Sequence, residues 1–182
     1  MQFRSGDAGD VPAVQAIERA SAVRFRAVGM EDIANDDPTS ASLLLERISQ
    51  NRLLVAVDKR PVAFVIFDVV DDHLYIEQVD VDPAHAGKRI GSALIGLVED
   101  RARNEARMGL LLSTFRDVPW NAPYYRRLGF TDVPDDALSA ALLHIRLDHI
   151  ERGLDETQRV FMRKPLRLDS GAIGAKKNRC QR

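Results

Sequence analysis

The period of the hydrophobic pattern changes along the chain. Val14, Ile17, Ala20 and Val23 recur at helical spacing behind Asp10, Val11 and Pro12, an N-cap with proline in the first turn. Phe3 and Arg4 open a short strand before them. Arg24 to Met30 is less regular, and Glu31 to Pro38 reads as an acidic loop. A second helix is expected after Thr39 or Ser40, with Leu43, Leu44, Arg47 and Ile48 on adjoining faces. From Leu53 the period becomes that of sheet: LLVAV, PVAFVIFDVV and HLYIEQVDVDP, joined by turns at Asp58 to Arg60 and at Asp71 and Asp72. This predicts an antiparallel meander whose central strand, apolar on both faces, is covered on both sides.

A helical period returns from about Gly91 to Met108. Leu94, Leu97, Val98, Ala102 and Ala106 would face inward, with Glu99, Arg101, Arg103, Glu105 and Arg107 in solvent and Gly109 as C-cap. Leu110 to Phe115 is the next strand, and its return through a helix predicts parallel pairing by a right-handed crossover. A short helix from Ala122 to Leu128 ends at Gly129, a longer one from Leu138 to Arg152 ends at Gly153, and Arg159 to Leu166 closes the sheet. The fold class is therefore α/β (α+β), a mixed, mostly antiparallel sheet with flanking helices. Residues 1–168 read as one domain and 169–182 as a disordered basic tail.

Composition narrows the function classes. A chain of 182 residues, 45% hydrophobic and 29% charged, suits one soluble core. With a net charge of −1 and 6% aromatic residues there is no global basic field or stacking set for nucleic acid. Only Lys176, Lys177, Arg179 and Arg182 of the tail would serve a nucleic-acid rival, and none is expected as partner. Cys180 is the single cysteine, which excludes an intrachain disulfide and a cysteine zinc cluster. No metal is expected. No apolar run approaches the ~20 residues of a membrane span, so the expected location is cytoplasmic, with no membrane partner.

The candidate chemistry sits at Ile76 to Ile95, IEQVDVDPAHAGKRIGSALI, which runs strand, Pro-containing turn, Gly-bearing basic loop, helix. A helix start leaves N–H groups without intrahelical partners and carries partial positive charge, so the junction suits phosphate. Gly87 and Gly91 permit a tight turn and close approach, while Lys88 and Arg89 add positive charge. Each of these also has a plainer reading, as loop geometry or solvated side chains.

Together with WNAPYYRRLGF at Trp120 to Phe130, this order of elements resembles the GNAT superfamily of N-acetyltransferases, which use acetyl-coenzyme A. The resemblance spans nearly all of Phe3 to Leu166. It implies a sheet splayed near the cofactor and a coenzyme site at Val79, Asp80, Val81, Ala86, Gly87, Lys88, Arg89, Ile90, Gly91, Ser92 and Asn121. The chain departs from the family's loop at Ala86, where Gln or Arg is usual, and at Arg89, where Gly is usual. Tyr125, five residues before Phe130, matches the family's general-acid tyrosine, and Glu77 is its matching candidate for the base. The alternatives are a packed aromatic at Tyr125, with Tyr124 also packing, and an exposed polar residue at Glu77. Asn121 either orients the cofactor or caps the helix. Asp80, three positions beyond Glu77, would point to the opposite face by strand alternation. A strand interruption near Val79 or Asp80 would splay the sheet and free a backbone N–H for an oxyanion.

The implied reaction is direct attack by a primary amine of a small molecule or peptide in a ternary complex. Arg24, Phe25 and Arg26 are candidate acceptor-side residues, and many relatives form a homodimer. The rivals are a catalytically silent coenzyme A-binding sensor and a transferase of another acyl group.

Overall fold

The computed structural model describes residues 1–166, so the expected tail lies outside the described residues. One seven-stranded sheet runs β1-β2-β3-β4-β5-β7-β6. Its strands are β1 (Gln2–Ser5), β2 (Leu53–Asp58), β3 (Arg60–Val70), β4 (His73–Val81), β5 (Gly109–Phe115), β6 (Thr131–Asp132) and β7 (Arg159–Pro165). The helices are α1 (Val11–Ala22), α2 (Glu31–Ala34), α3 (Ala41–Ser49), α4 (Ile90–Asn104), α5 (Ala122–Arg127) and α6 (Ala140–Glu151). Every strand pair is antiparallel except β4 and β5, which α4 connects in parallel.

The meander forms as its alternation predicts, with Lys59 and Asp71 turning the chain in the left-handed region. Along β3, Val65 and Phe67 pack toward α4, whereas Phe64 and Ile66 pack toward α1 and α3. The central strand is thus buried on both faces, where each large apolar side chain contributes roughly 1.5–3 kcal/mol. On the far half of the sheet the same alternation sends Leu74, Leu110 and Met162 to α4 and Tyr75, Leu111 and Phe161 to α6. α4 therefore covers one face, and α1, α3 and α6 cover the other.

Four local expectations are corrected. The acidic segment contains one helical turn, α2, and Val23–Val28 form a 3-10 helix. Val23 is exposed, and the buried stripe of α1 is Val11, Val14, Ile17 and Ser21. α4 stops at Asn104, and Ala106 makes the left-handed turn that was expected at Gly109. Gly109 instead pairs within the sheet, where a Cβ would lie 2.4 Å from the Lys164 carbonyl oxygen. Close approach of β7, rather than a helix end, accounts for that glycine.

Candidate active site

The site begins where two strands part. β4 and β5 pair only from His73 opposite Gly109 to Ile76 opposite Leu112, although β4 runs on to Val81 and β5 to Phe115. On the other edge of β4, Ile66 lies opposite Gln78 and Phe67 opposite Ile76, so Glu77 is an extra residue and forms a bulge. The interruption lies two residues before the expected Val79. Asp82 N–H donates to the Val62 carbonyl of β3 at 2.8 Å. By strand alternation Asp80 then directs its main-chain groups to β3 as well, and Val79 and Val81 direct theirs into the parted edge. Val79 and Val81 therefore line the parted edge with their main-chain groups, while the Asp80 backbone is engaged by β3.

The bulge also reverses a side-chain assignment. An added residue shifts the period-two alternation, so Asp80 joins Glu77 on the α1/α3 side instead of the opposite one. Ser21 Oγ of α1 donates to Asp80 Oδ1 at 2.6 Å, and Gln78 Nε2 donates to Oδ2 at 2.7 Å. The only cation within salt-bridge distance among the described residues is Arg24, 3.8 Å away and itself half exposed. Asp80 is 8% exposed, and burial pushes its carboxyl pKa upward against those hydrogen bonds. Nearby Glu18 accepts from the Thr39 N–H and hydroxyl at 3.0 and 3.1 Å, and burial raises its pKa too.

Glu77 is differently placed. Arg47 Nε and Nη2 of α3 donate to its two carboxylate oxygens, each at 2.7 Å, and Nη2 also lies 3.0 Å from Asp68, which Arg52 pairs in turn. This fork-to-fork contact raises the Arg47 pKa and leaves neither Glu77 oxygen uncommitted. Glu77, the expected base, thus has both oxygens engaged by Arg47.

α5 closes the parted edge from the α4 side. Its Tyr125 packs edge-on against Phe130, and burial, with the Asp80 charge second, pushes the phenol pKa up, so it stays protonated at neutral pH. Asn121 occupies the N-cap position of α5, but its side chain makes no capping hydrogen bond. Its Nδ2 donates to Thr114 Oγ1 at 2.7 Å, and its buried Oδ1 has no hydrogen-bond partner. Tyr124, read as a packing residue, brings its hydroxyl over the first turn of α4, where a Cβ at Gly91 would lie 3.6 Å from it.

The loop between β4 and α4 starts at Asp82, which accepts from Ala84 N–H at 2.9 Å, and turns at Gly87 with φ 76°. Arg89 takes φ 59°, ψ 21°, so the left-handed conformation natural to glycine is kept despite its Cβ. Ile90, Gly91 and Ser92 form the first turn of α4, and the Ser92 hydroxyl returns to the Arg89 carbonyl at 2.8 Å. Lys88 and Arg89 form no ion pair among the described residues. On the opposite rim, Phe25 stacks edge-on with Phe115 and Trp120, with Arg24 across Trp120 at 5.4 Å. A groove of about 230 Å³ beside Phe115 is bounded by Val28, Met30 and Val118.

The sequence model of the acetyltransferase (GNAT) family matches residues 17–130, more than half of the chain. This chain belongs to the GNAT family. The match contains the bulge, the loop and α5. Solved structures show the same fold at low identity. PaiA N-acetyltransferase from Thermoplasma acidophilum, in complex with coenzyme A, is 14% identical over 91% of this chain and 98% of that one, with a TM-score of 0.65. The ribosomal-protein-S18-alanine N-acetyltransferase of Escherichia coli is 18% identical over 96% and 99%, with a TM-score of 0.62. Rv2747 of Mycobacterium tuberculosis, in complex with CoA and NLQ, is 19% identical over 91% and 99%, with a TM-score of 0.68.

Acetyl-coenzyme A, the family's cosubstrate, fits the residues present in this GNAT chain. The unpartnered Asn121 Oδ1 offers an acceptor, and the loop from Ala86 to Ser92 offers a helix start flanked by Lys88 and Arg89. Among the described residues no helix is long and apolar enough to cross a membrane. Sequence reasoning missed Ser21, Gln78 and Glu18 around Asp80 and Arg47 beneath the bulge. Gln78 reaches Asp80 from two residues away, but Ser21 and Arg47 reach the site through contacts distant in sequence, which local spacing does not encode.

Proposed function

We propose that this protein transfers the acetyl group of acetyl-coenzyme A to a primary amine of a small molecule or peptide, by direct attack in a ternary complex. The parted β4–β5 edge supports this reading, because Val79 faces it with its main-chain groups and packs against the same core cluster as Tyr125. When bound, acetyl-coenzyme A supplies the thioester carbonyl that the amine attacks. Lys88, Arg89 and the N–H groups of Ile90, Gly91 and Ser92 would hold its phosphates, and Asn121 Oδ1 an amide of its arm. The Val79 N–H, directed into the cleft, stabilises negative charge on the carbonyl oxygen. Tyr125 gives its phenolic proton to the departing sulfur. Phe25, Trp120 and Arg24 border the acceptor.

The test is calorimetric titration with acetyl-coenzyme A, followed by thiol release with a panel of amines. Binding with amine-dependent release is expected, and Tyr125→Phe should keep the binding and lose about 10²-fold in kcat. Binding without release from any amine would favour the silent sensor, and release only from longer thioesters would make the enzyme a transferase of another acyl group. Arg89 bears on the first of these outcomes. Its retained left-handed backbone keeps the loop in shape, which supports coenzyme binding in either case, so turnover decides between them.

A further inference from the structure

The proposed transfer requires a proton acceptor, because an alkyl amine is an ammonium ion at neutral pH. We infer that Asp80, not Glu77, takes that proton, in a relay with Ser21. The inference rests on the transfer reading above. Three arrangements carry it. The Glu77 bulge puts the Asp80 side chain on the α1 side, at the strand segment that β5 has left. Glu77 itself is clamped on both oxygens by the cationic Arg47 fork, whereas Asp80 accepts one hydrogen bond on each oxygen from neutral donors, Ser21 and Gln78, with Arg24 3.8 Å away.

The third arrangement is the Ser21 hydroxyl, which lies 2.6 Å from Asp80 Oδ1 and 3.0 Å from the Glu18 carbonyl oxygen. It has one hydrogen for two acceptors. With Asp80 ionised, Ser21 donates to the carboxylate. With Asp80 protonated, Asp80 donates to Ser21 Oγ and the hydroxyl turns to the Glu18 carbonyl. Both protonation states of a buried acid are thereby hydrogen-bonded, which a reversible proton carrier needs and a fixed structural carboxylate does not.

The protons balance as follows. An ammonium N–H bond breaks, an O–H bond forms on Asp80, and the nitrogen lone pair is freed for attack. That proton later leaves Asp80 for solvent. The second N–H proton, lost as the amide forms, replaces the one that Tyr125 gives to the sulfur. Uptake by Asp80 also removes a negative charge that opposes ionisation of Tyr125, so the acid is strengthened once the amine has been freed. Glu18, Arg24 and Tyr125 are the other charged or titratable groups facing Asp80, and Glu18 is committed to Thr39.

The experiment compares the full-length protein with Asp80→Asn, Glu77→Gln and Ser21→Ala, using acetyl-coenzyme A with two probes. Benzylamine must lose a proton before attack, and hydroxylamine is already a free base at neutral pH. Asp80→Asn should lower kcat/KM for benzylamine by about 10²–10⁴-fold and for hydroxylamine by less than roughly tenfold, with acetyl-coenzyme A affinity kept. Ser21→Ala should give the same selectivity in weaker form, and Glu77→Gln should lower both probes alike. Equal loss for both probes in Asp80→Asn, or no loss, overturns the assignment while leaving the transfer reading intact. A wild-type protein that binds acetyl-coenzyme A but releases no thiol with either probe overturns the transfer reading and the Asp80 role with it.

Discussion

Two acidic clusters flank the β4 bulge, and they differ in what neutralises them. Glu77 and Asp68 are met by Arg47 and Arg52, and the Arg47 side chain is only 8% exposed. Asp80 and Glu18 are met chiefly by hydroxyl, amide and backbone donors, with Arg24 alone at a distance. The Arg47–Glu77 pair ties α3 to the sheet. A buried carboxylate without a close cation has its pKa raised above the ordinary carboxylate range and opposes folding when charged. Scaffold and chemistry thus use the same side-chain type three residues apart.

Breaking the first cluster should give the largest effect. Arg47→Ala would leave Glu77 and Asp68 without their shared cation at a partly buried position, and losing one partner of such a pair costs on the order of 3 kcal/mol. For a domain of this size that is a fall of roughly 6–12 °C in Tm, read by calorimetry. Because the pair sits at the bulge, acetyl-coenzyme A affinity should fall with it. A variant of unchanged Tm would show that Arg47 is not what fixes the bulge.

The second cluster should respond in the opposite sense. The folded-state pKa of Asp80 is raised, so the native protein binds more protons than the unfolded chain between the ordinary carboxylate range and the raised value. Its contribution to stability is full below that window and is lost as pH rises through it. Asp80→Asn should therefore raise Tm at neutral pH and flatten the dependence of Tm on pH, even as turnover with benzylamine collapses. Ser21→Ala removes a donor to the ionised form and should push the Asp80 pKa further up. The acid limb of kcat then moves to higher pH, while its plateau changes less. A limb that does not move would assign it to another group.

The difference between the clusters was only half legible in sequence. Strand alternation and turn residues revealed the meander, and the loop and α5 motifs revealed the family. The bulge was not legible in that way, since one extra residue in IEQVDVD leaves the composition and apparent period almost unchanged. That residue inverted the face of Asp80. The partners that decide their roles, Ser21 and Arg47, lie 59 and 30 residues away in the chain. Gly109 was misread for a related reason, because a helix-capping glycine and a glycine crowded by a neighbouring strand look alike without the neighbour.

The smallest expected effect asks whether the coenzyme loop belongs with the scaffold. Arg89 holds a left-handed backbone conformation, φ 59°, that costs a residue with a Cβ roughly 1–2 kcal/mol. Glycine removes that strain but gains freedom in the unfolded chain, which returns part of the benefit. Arg89→Gly should therefore stabilise the protein by about 0.5–1 kcal/mol, or roughly 1–4 °C in Tm. It also deletes a guanidinium beside the phosphate position. If Arg89 serves the loop only through its backbone N–H, acetyl-coenzyme A should bind the variant as tightly as the parent. If the side chain contributes charge, affinity should fall severalfold at low ionic strength and converge with the parent as salt is raised. Titration of both proteins across a salt series separates these outcomes, and a loss of stability in Arg89→Gly would mean that the Arg89 side chain has a contact outweighing its backbone strain.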